Sequence, residues 1–137
     1  YVCEIETEFE HNLPGVLGSP GEINQVFLNI IVNAAHAISA NRSATPRKGM
    51  IRIATRRSDD MVEISIRDNG AGVPESIKDR IFDPFFTTKP LGEGMGQGLT
   101  IARNIVVQKH NGQLYCESEE GDGATFIIRL PVAMQEI

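Results

Sequence analysis

Between residues 22 and 40, Ile23, Val26, Phe27, Ile30, Ile31, Ala34 and Ile38 recur at the spacing of one helix face. Ser19-Pro-Gly just ahead of them is a start signal. At roughly 100° per residue, Gln25, Asn29, Asn33 and His36 form a polar row beside that stripe, at the rim of the core where a ligand can reach it. Residues 2–9 alternate like a strand, and 50–56 and 61–67 alternate around Ser58-Asp-Asp60 as a strand hairpin. Val62, Ile64, Ile66 and Asp68 share one parity, so Asp68 projects from the end of the apolar face as a carboxylate in need of a partner. A second helix is predicted over 99–110, with Leu99, Ala102, Ile105, Val106 and Lys109 along one side and Asn111-Gly112 as its stop. Residues 113–118 and 124–130 read as two further strands.

The stretch 69–97 is rich in Gly, Pro and Thr, broken by a short predicted helix near 75–81. A loop of that length inside a compact domain is a lid or binding loop. Strand, helix, two strands, lid, helix, two strands predicts an α+β fold, a two-layer sandwich with helices on one sheet face.

Composition narrows the picture. The 137 residues suit one domain, and 41% apolar with 23% charged content is ordinary for a globular chain. The longest apolar run, 30–32 with Ala34 and Ala35, is far too short for a membrane span. A net charge of −5 argues against a general nucleic-acid binder. The local cluster of Arg42, Arg47, Lys48, Arg52, Arg56 and Arg57 reads as a solvated loop and strand face. Cys3 and Cys116 lack metal-ligand spacing and read as reduced core thiols. With Tyr1 in first place and a strand pattern beginning at once, residues 1–137 are expected to be a single domain of a longer protein.

Four short segments carry candidate chemistry: Asn29-Ile-Ile-Val-Asn33, Asp68-Asn-Gly70-Ala-Gly72, Phe82-Asp-Pro-Phe85-Phe-Thr-Thr-Lys89 and Gly92-Glu-Gly94-Met-Gly96-Gln-Gly98-Leu99. Taken singly, each has a plainer explanation. Asp68-Asn-Gly suits a hairpin turn, Asn29 and Asn33 suit rim caps, the phenylalanines a satellite core, and the glycines a linker. Together they supply what an ATP site needs. A buried Asp68 accepts from the exocyclic amine of adenine and disfavours guanine, whose oxygen would face it acceptor to acceptor. Gly70 and Gly72 let backbone approach the ring. Asn33 offers an amide oxygen to Mg2+, with Asn29 as polar support for the phosphates. Gly94, Gly96, Gly98 and Leu99 lead backbone N–H groups into a helix start, and Lys89 reaches the terminal phosphates. The glycine spacing matches neither a dinucleotide fingerprint nor a P-loop. His11, His36 and His110 show no metal spacing, and none reads as a nucleophile.

With these segments in this order, the chain resembles the catalytic ATP-binding domain of bacterial sensor histidine kinases, within the Bergerat-fold superfamily that includes gyrase, MutL and the ninety-kilodalton heat-shock chaperone. Residues 29–37 look like the N box, 68–72 the G1 box, 82–89 the F box and 92–99 the G2 box, and the F box is similar to that of nitrogen-regulatory and dicarboxylate-sensing kinases. The resemblance implies a mixed sheet, an ATP lid over about 69–97, and a closing segment, Gly121-Asp-Gly-Ala-Thr125-Phe126, that places Thr125 near Asp68. Two residues depart from the family pattern. Gln97 stands where Leu is common, and His36 stands where many relatives carry a phosphate-contacting Lys, a role left to Lys89 or Arg103. Hydrolysing members carry a Glu one turn before the metal-binding Asn; here that position is Asn29, which cannot act as a base.

The resemblance therefore implies ATP and Mg2+ held for γ-phosphoryl transfer, with Asn29, Asn33 and Lys89 in the catalytic set. The acceptor would be a histidine on an upstream dimerisation domain, and the phosphoryl group would pass on to a response regulator. The isolated domain is expected to be a monomer and the full-length protein a homodimer. The domain is expected to be cytoplasmic, and an inner-membrane anchor elsewhere in the full-length protein is left open. Two alternatives stand beside it: a Bergerat-fold protein-serine kinase of the anti-sigma-factor type, against which Asn29 and the phenylalanine-rich lid argue, and a non-catalytic nucleotide-binding module.

Overall fold

The computed structural model describes residues 3–41, 48–83, 98–118 and 122–133. Their order is β1 (Cys3–Phe9), α1 (Pro20–Asn41), β2 (Gly49–Ser58), β3 (Met61–Asp68), a 3-10 turn (Lys78–Arg80), α2 (Gly98–Arg103) running on as a π-helix (Asn104–Lys109), β4 (Gln113–Ser118) and β5 (Ala124–Pro131). The five strands form one sheet in the order β1-β2-β3-β5-β4. β1 and β2 are parallel because the α1 crossover joins them, and every other pairing is antiparallel. This is the expected α+β mixed sheet.

Periodicity explains the packing. On α1, Val26, Ile30, Ala34 and Ile38 are at most 4% exposed, and Ile23, Phe27 and Ile31 pack partly buried beside them. They meet alternate residues of the sheet: Ile51, Val62, Ile64 and Ile66, then Phe126, Ile128 and Leu130. Each such side chain contributes about 1.5–3 kcal/mol by leaving water. The opposite sheet face is laced with ion pairs, Glu63 holding Arg56 and Arg129, and Glu8 holding Arg52.

Two elements differ from the periodic reading. The segment near 75–81 tightens to a single 3-10 turn, held by Ile77 N–H on the Pro74 carbonyl and Arg80 N–H on that of Ile77. The predicted helix over 99–110 is α-helical only as far as Arg103 and then widens. His110 holds the wide end closed: Nδ1 donates to the Ile105 carbonyl at 2.8 Å, while Nε2 accepts the Ser19 amide at 3.1 Å. Lys109, expected along the apolar side, is exposed and pairs with Glu22 at 2.6 Å. Asn111, at φ 55°, stops the helix as expected.

Cys3 and Cys116 are free and lie on the two edge strands, four strand spacings of about 4.8 Å apart, too far to bridge. Burial pushes the Cys116 thiol up to about 11, with Asp68 adding to it, so the thiol stays protonated at neutral pH. Among the described residues no helix is long and apolar enough to cross a membrane.

Ile30 has no exposed surface and lies under the centre of α1. Ile30→Ala is expected to lower the unfolding free energy by about 3 kcal/mol in urea denaturation; a loss below about 1 kcal/mol would show that this helix does not carry the core.

Candidate functional site

Asp68 ends β3 on the helix-covered face and is 1% exposed. Its Oδ1 accepts the Gly70 N–H at 2.8 Å, and its Oδ2, equally buried, has no hydrogen-bond partner among the described residues. Burial raises the carboxyl above the usual aspartate range, while the backbone amides of Gly70 and Ala124 and then the Arg67 charge pull against that rise. The result is a buried acceptor with one oxygen unpaired among the described residues.

The surrounding backbone holds this carboxylate in place. Asn69 copies a strand residue: its Oδ1 accepts the Met50 amide at 2.9 Å, and its Nδ2 donates to the Lys48 carbonyl at 2.9 Å. Gly70 lies so close to α1 that a Cβ there would meet the Ala37 carbonyl carbon at 2.6 Å. Gly72 has φ 76°. Gly123, at φ 84°, presses on the Asp68 carbonyl, 2.1 Å from where its Cβ would stand. Only glycine fits at these approaches.

The register refines one expectation, that Thr125 lies near Asp68. Ala124, not Thr125, is paired with Asp68, and Thr125 is paired with Arg67. Side chains alternate along a strand, so Thr125 points to the opposite sheet face from the Asp68 carboxylate. The parity that singled out Asp68 also singles out Ala124, which shares it with Phe126, Ile128 and Leu130.

The polar row of α1 reaches the start of α2. Asn29 Oδ1 accepts from Gln25 Nε2 at 2.8 Å, and its Nδ2 donates to the Gly98 carbonyl at 3.1 Å. The first and fourth sequence segments thus meet through one amide. Asn33 follows one turn later, half-buried, and makes no hydrogen bond with the described residues. Leu99 is half-buried against the core. Phe82 stands edge-on to Phe126 with ring centres 6.3 Å apart, under the Arg103 guanidinium at 5.6 Å, and its carbonyl accepts from Thr100 Oγ1 at 2.8 Å. These contacts anchor the start of the third segment to α2. Lys89, Gly94, Gly96 and Gln97, with most of the third and fourth segments, lie outside the described residues. Sequence reasoning missed Asn69 and Thr100, whose roles depend on backbone partners remote in the chain.

The raised pKa of Asp68 has a sign. The folded chain holds this proton more tightly than the unfolded chain, so the group's stabilising contribution is full below the ordinary aspartate range and is lost as pH rises through the raised value. The unfolding free energy of wild type minus that of Asp68→Asn is therefore expected to fall as pH rises from about 4 toward neutrality, by about 1.4 kcal/mol per unit of raised pKa. Denaturation curves across that range check it, and a difference that grows with pH would make Asp68 an ordinary stabilising ion.

Known proteins share this sequence pattern and fold. The family described as histidine kinase-, DNA gyrase B-, and HSP90-like ATPase matches residues 18–134. Among curated proteins, the signal transduction histidine-protein kinase AtoS of Escherichia coli is 40% identical over 94% of this chain, and the sensor histidine kinase ZraS of the same organism is 40% identical over 94%. The two-component sensor PprA of Pseudomonas aeruginosa is 35% identical over 97%. This chain spans 20%, 26% and 14% of those three relatives. Among solved structures, the catalytic domain of histidine kinase ThkA, in a nucleotide-free form, matches with TM-score 0.78 and 32% identity over 95% of this chain and 80% of its own. Full-length ShkA in complex with AMPPNP matches with TM-score 0.80 and 27% identity over 98% of this chain and 27% of its own. The chain belongs to the histidine kinase-, DNA gyrase B-, and HSP90-like ATPase family, as an ATP-binding catalytic domain of the sensor histidine kinase type.

Proposed function

We propose that this domain holds ATP with Mg2+ and presents the γ-phosphoryl group to a histidine on a separate dimerisation domain of the same protein, for later passage to a response regulator. In this reading Asp68 takes the adenine amine on its open Oδ2, and Gly70 and Gly72 line the base. Asn33 faces the metal, Asn29 and Gly98 flank the phosphates, and Lys89, Gly94 and Gly96 complete the lid. Leu99 packs behind the phosphate end. Thr125, turned to the other sheet face, acts on the site only through its strand. Residues 1–137 serve as one catalytic unit of a homodimeric, cytoplasmic-facing sensor.

Asn29 carries the choice between transfer and hydrolysis. A water-activating carboxylate would be needed at this position, and an amide cannot take a proton from water. Both ends of this amide are moreover engaged by Gln25 and Gly98. Phosphoryl transfer depends on positioning and charge neutralisation, which this arrangement suits.

The donor set fits a magnesium ion bound with its nucleotide. Asn33 has an amide oxygen free of hydrogen bonds to the described residues, and no group of three or more His, Cys, Asp or Glu comes together among them. One protein oxygen completed by phosphates and water matches the octahedral preference of Mg2+. Bound there, the metal would neutralise phosphate charge.

Titration calorimetry should give ATP–Mg2+ affinity on the order of micromolar. Asp68→Asn is expected to weaken it at least about tenfold by setting a donor against the adenine amine. Asn33→Ala is expected to weaken ATP only when Mg2+ is present. With labelled ATP the isolated chain should gain no phosphohistidine, while the full-length protein gains acid-labile label. Acid-stable label would favour a serine kinase, and label on this chain alone would overturn the proposal.

A further inference from the structure

Ser118 ends β4, and a cross-strand row runs from it through Ala124 to Asp68. Paired residues of antiparallel strands share a face, so the Ser118 hydroxyl and the Asp68 carboxylate rise from the same side of the sheet, about 9.5 Å apart. Within the row, Ala124 stands between them. The loop leaving β3 is strung across this gap: Gly70 N–H bonds Asp68 Oδ1 at 2.8 Å at one end, and Val73 N–H bonds Ser118 Oγ at 2.7 Å at the other. The same hydroxyl donates to the Gly123 carbonyl at 2.9 Å, and the Ser118 carbonyl accepts from Lys78 Nζ at 2.7 Å. Lys78 is itself paired with Glu75 at 3.3 Å. One residue therefore fastens the loop to the strand end at positions 73 and 78, and also tethers the glycine that presses on Asp68.

We propose that Ser118 is a positioning residue for adenine recognition. It sets the height of the 70–73 backbone over the row Asp68, Ala124, Ser118, and with it the width of the slot in which a flat base lies against Asp68. It touches no nucleotide and acts through Val73 and Gly123. Without the hydroxyl, the half-buried Val73 N–H loses its acceptor and the Gly123 carbonyl its donor, and the loop relaxes away from the spacing that a planar ring needs. This inference rests on the reading of Asp68 as the adenine acceptor.

Calorimetric titration of wild type, Ser118→Ala, Ser118→Thr, Ser118→Cys and Asp68→Asn with ATP and with ADP, well below the Tm of each, tests it. Ser118→Ala is expected to weaken ATP and ADP by the same factor of about ten, because the lesion is at the base end and not the phosphate end. Ser118→Thr keeps the hydroxyl and should stay within about threefold of wild type. Ser118→Cys keeps the size with a weak donor and should show a smaller loss of the same kind. A purely structural role would lower the Tm and leave both affinities alone. Wild-type affinity in Ser118→Ala and Ser118→Cys, with Asp68→Asn defective, overturns the positioning role and leaves the ATP reading standing. Wild-type affinity in Asp68→Asn overturns both.

Discussion

Asp68 is 1% exposed, with one carboxylate oxygen held by the Gly70 amide and the other left without a partner among the described residues. An unpaired acceptor away from water costs at least about 1–3 kcal/mol, more if it is charged. The rest of the domain makes that arrangement tolerable and uses it. The sheet buries the carboxylate at the end of an apolar row, and α1 closes over it so tightly that residue 70 has no room for a side chain. Asn69 ties the departing loop to β2 by side-chain bonds that imitate a strand. The second oxygen is left without a hydrogen bond from any described residue.

The phosphate end is organised by a weaker but equally specific link. The Asn29 amide spans Gln25 on its own helix and Gly98 at the first residue of α2. That single bridge joins the polar row of α1 to the helix start expected to meet phosphates. Phe82, fixed between Phe126 and Arg103 and bonded to Thr100, ties the loop that begins at the adenine end to the same helix. In the proposed reading, a sheet end that takes the base and a loop anchored on α2 suit a chemistry of positioning.

Much of this was legible in the chain. Apolar periodicity located α1 and its buried stripe, and period-two alternation located all five strands and set Asp68 at the end of the core face. Both signals are local, because a helix face and a strand face are determined by residues a few positions apart. The four segments were legible for a related reason: each needs particular residue types at short spacing. The resemblance sets Thr125 near Asp68, and the register between β3 and β5 pairs Asp68 with the adjacent Ala124.

Tertiary structure alone decided register, close approach and partnership. A one-residue slip between strands reverses every side chain, and nothing within either strand fixes the slip by itself. The widening of the second helix depends on His110 joining Ser19 to Ile105, a contact across most of the chain. The sequence by itself determined which face of each element is apolar and which residue types an ATP site has at hand. Only folding determined that Asp68 keeps one oxygen open, because hydrogen-bond satisfaction depends on donors that come from distant parts of the chain.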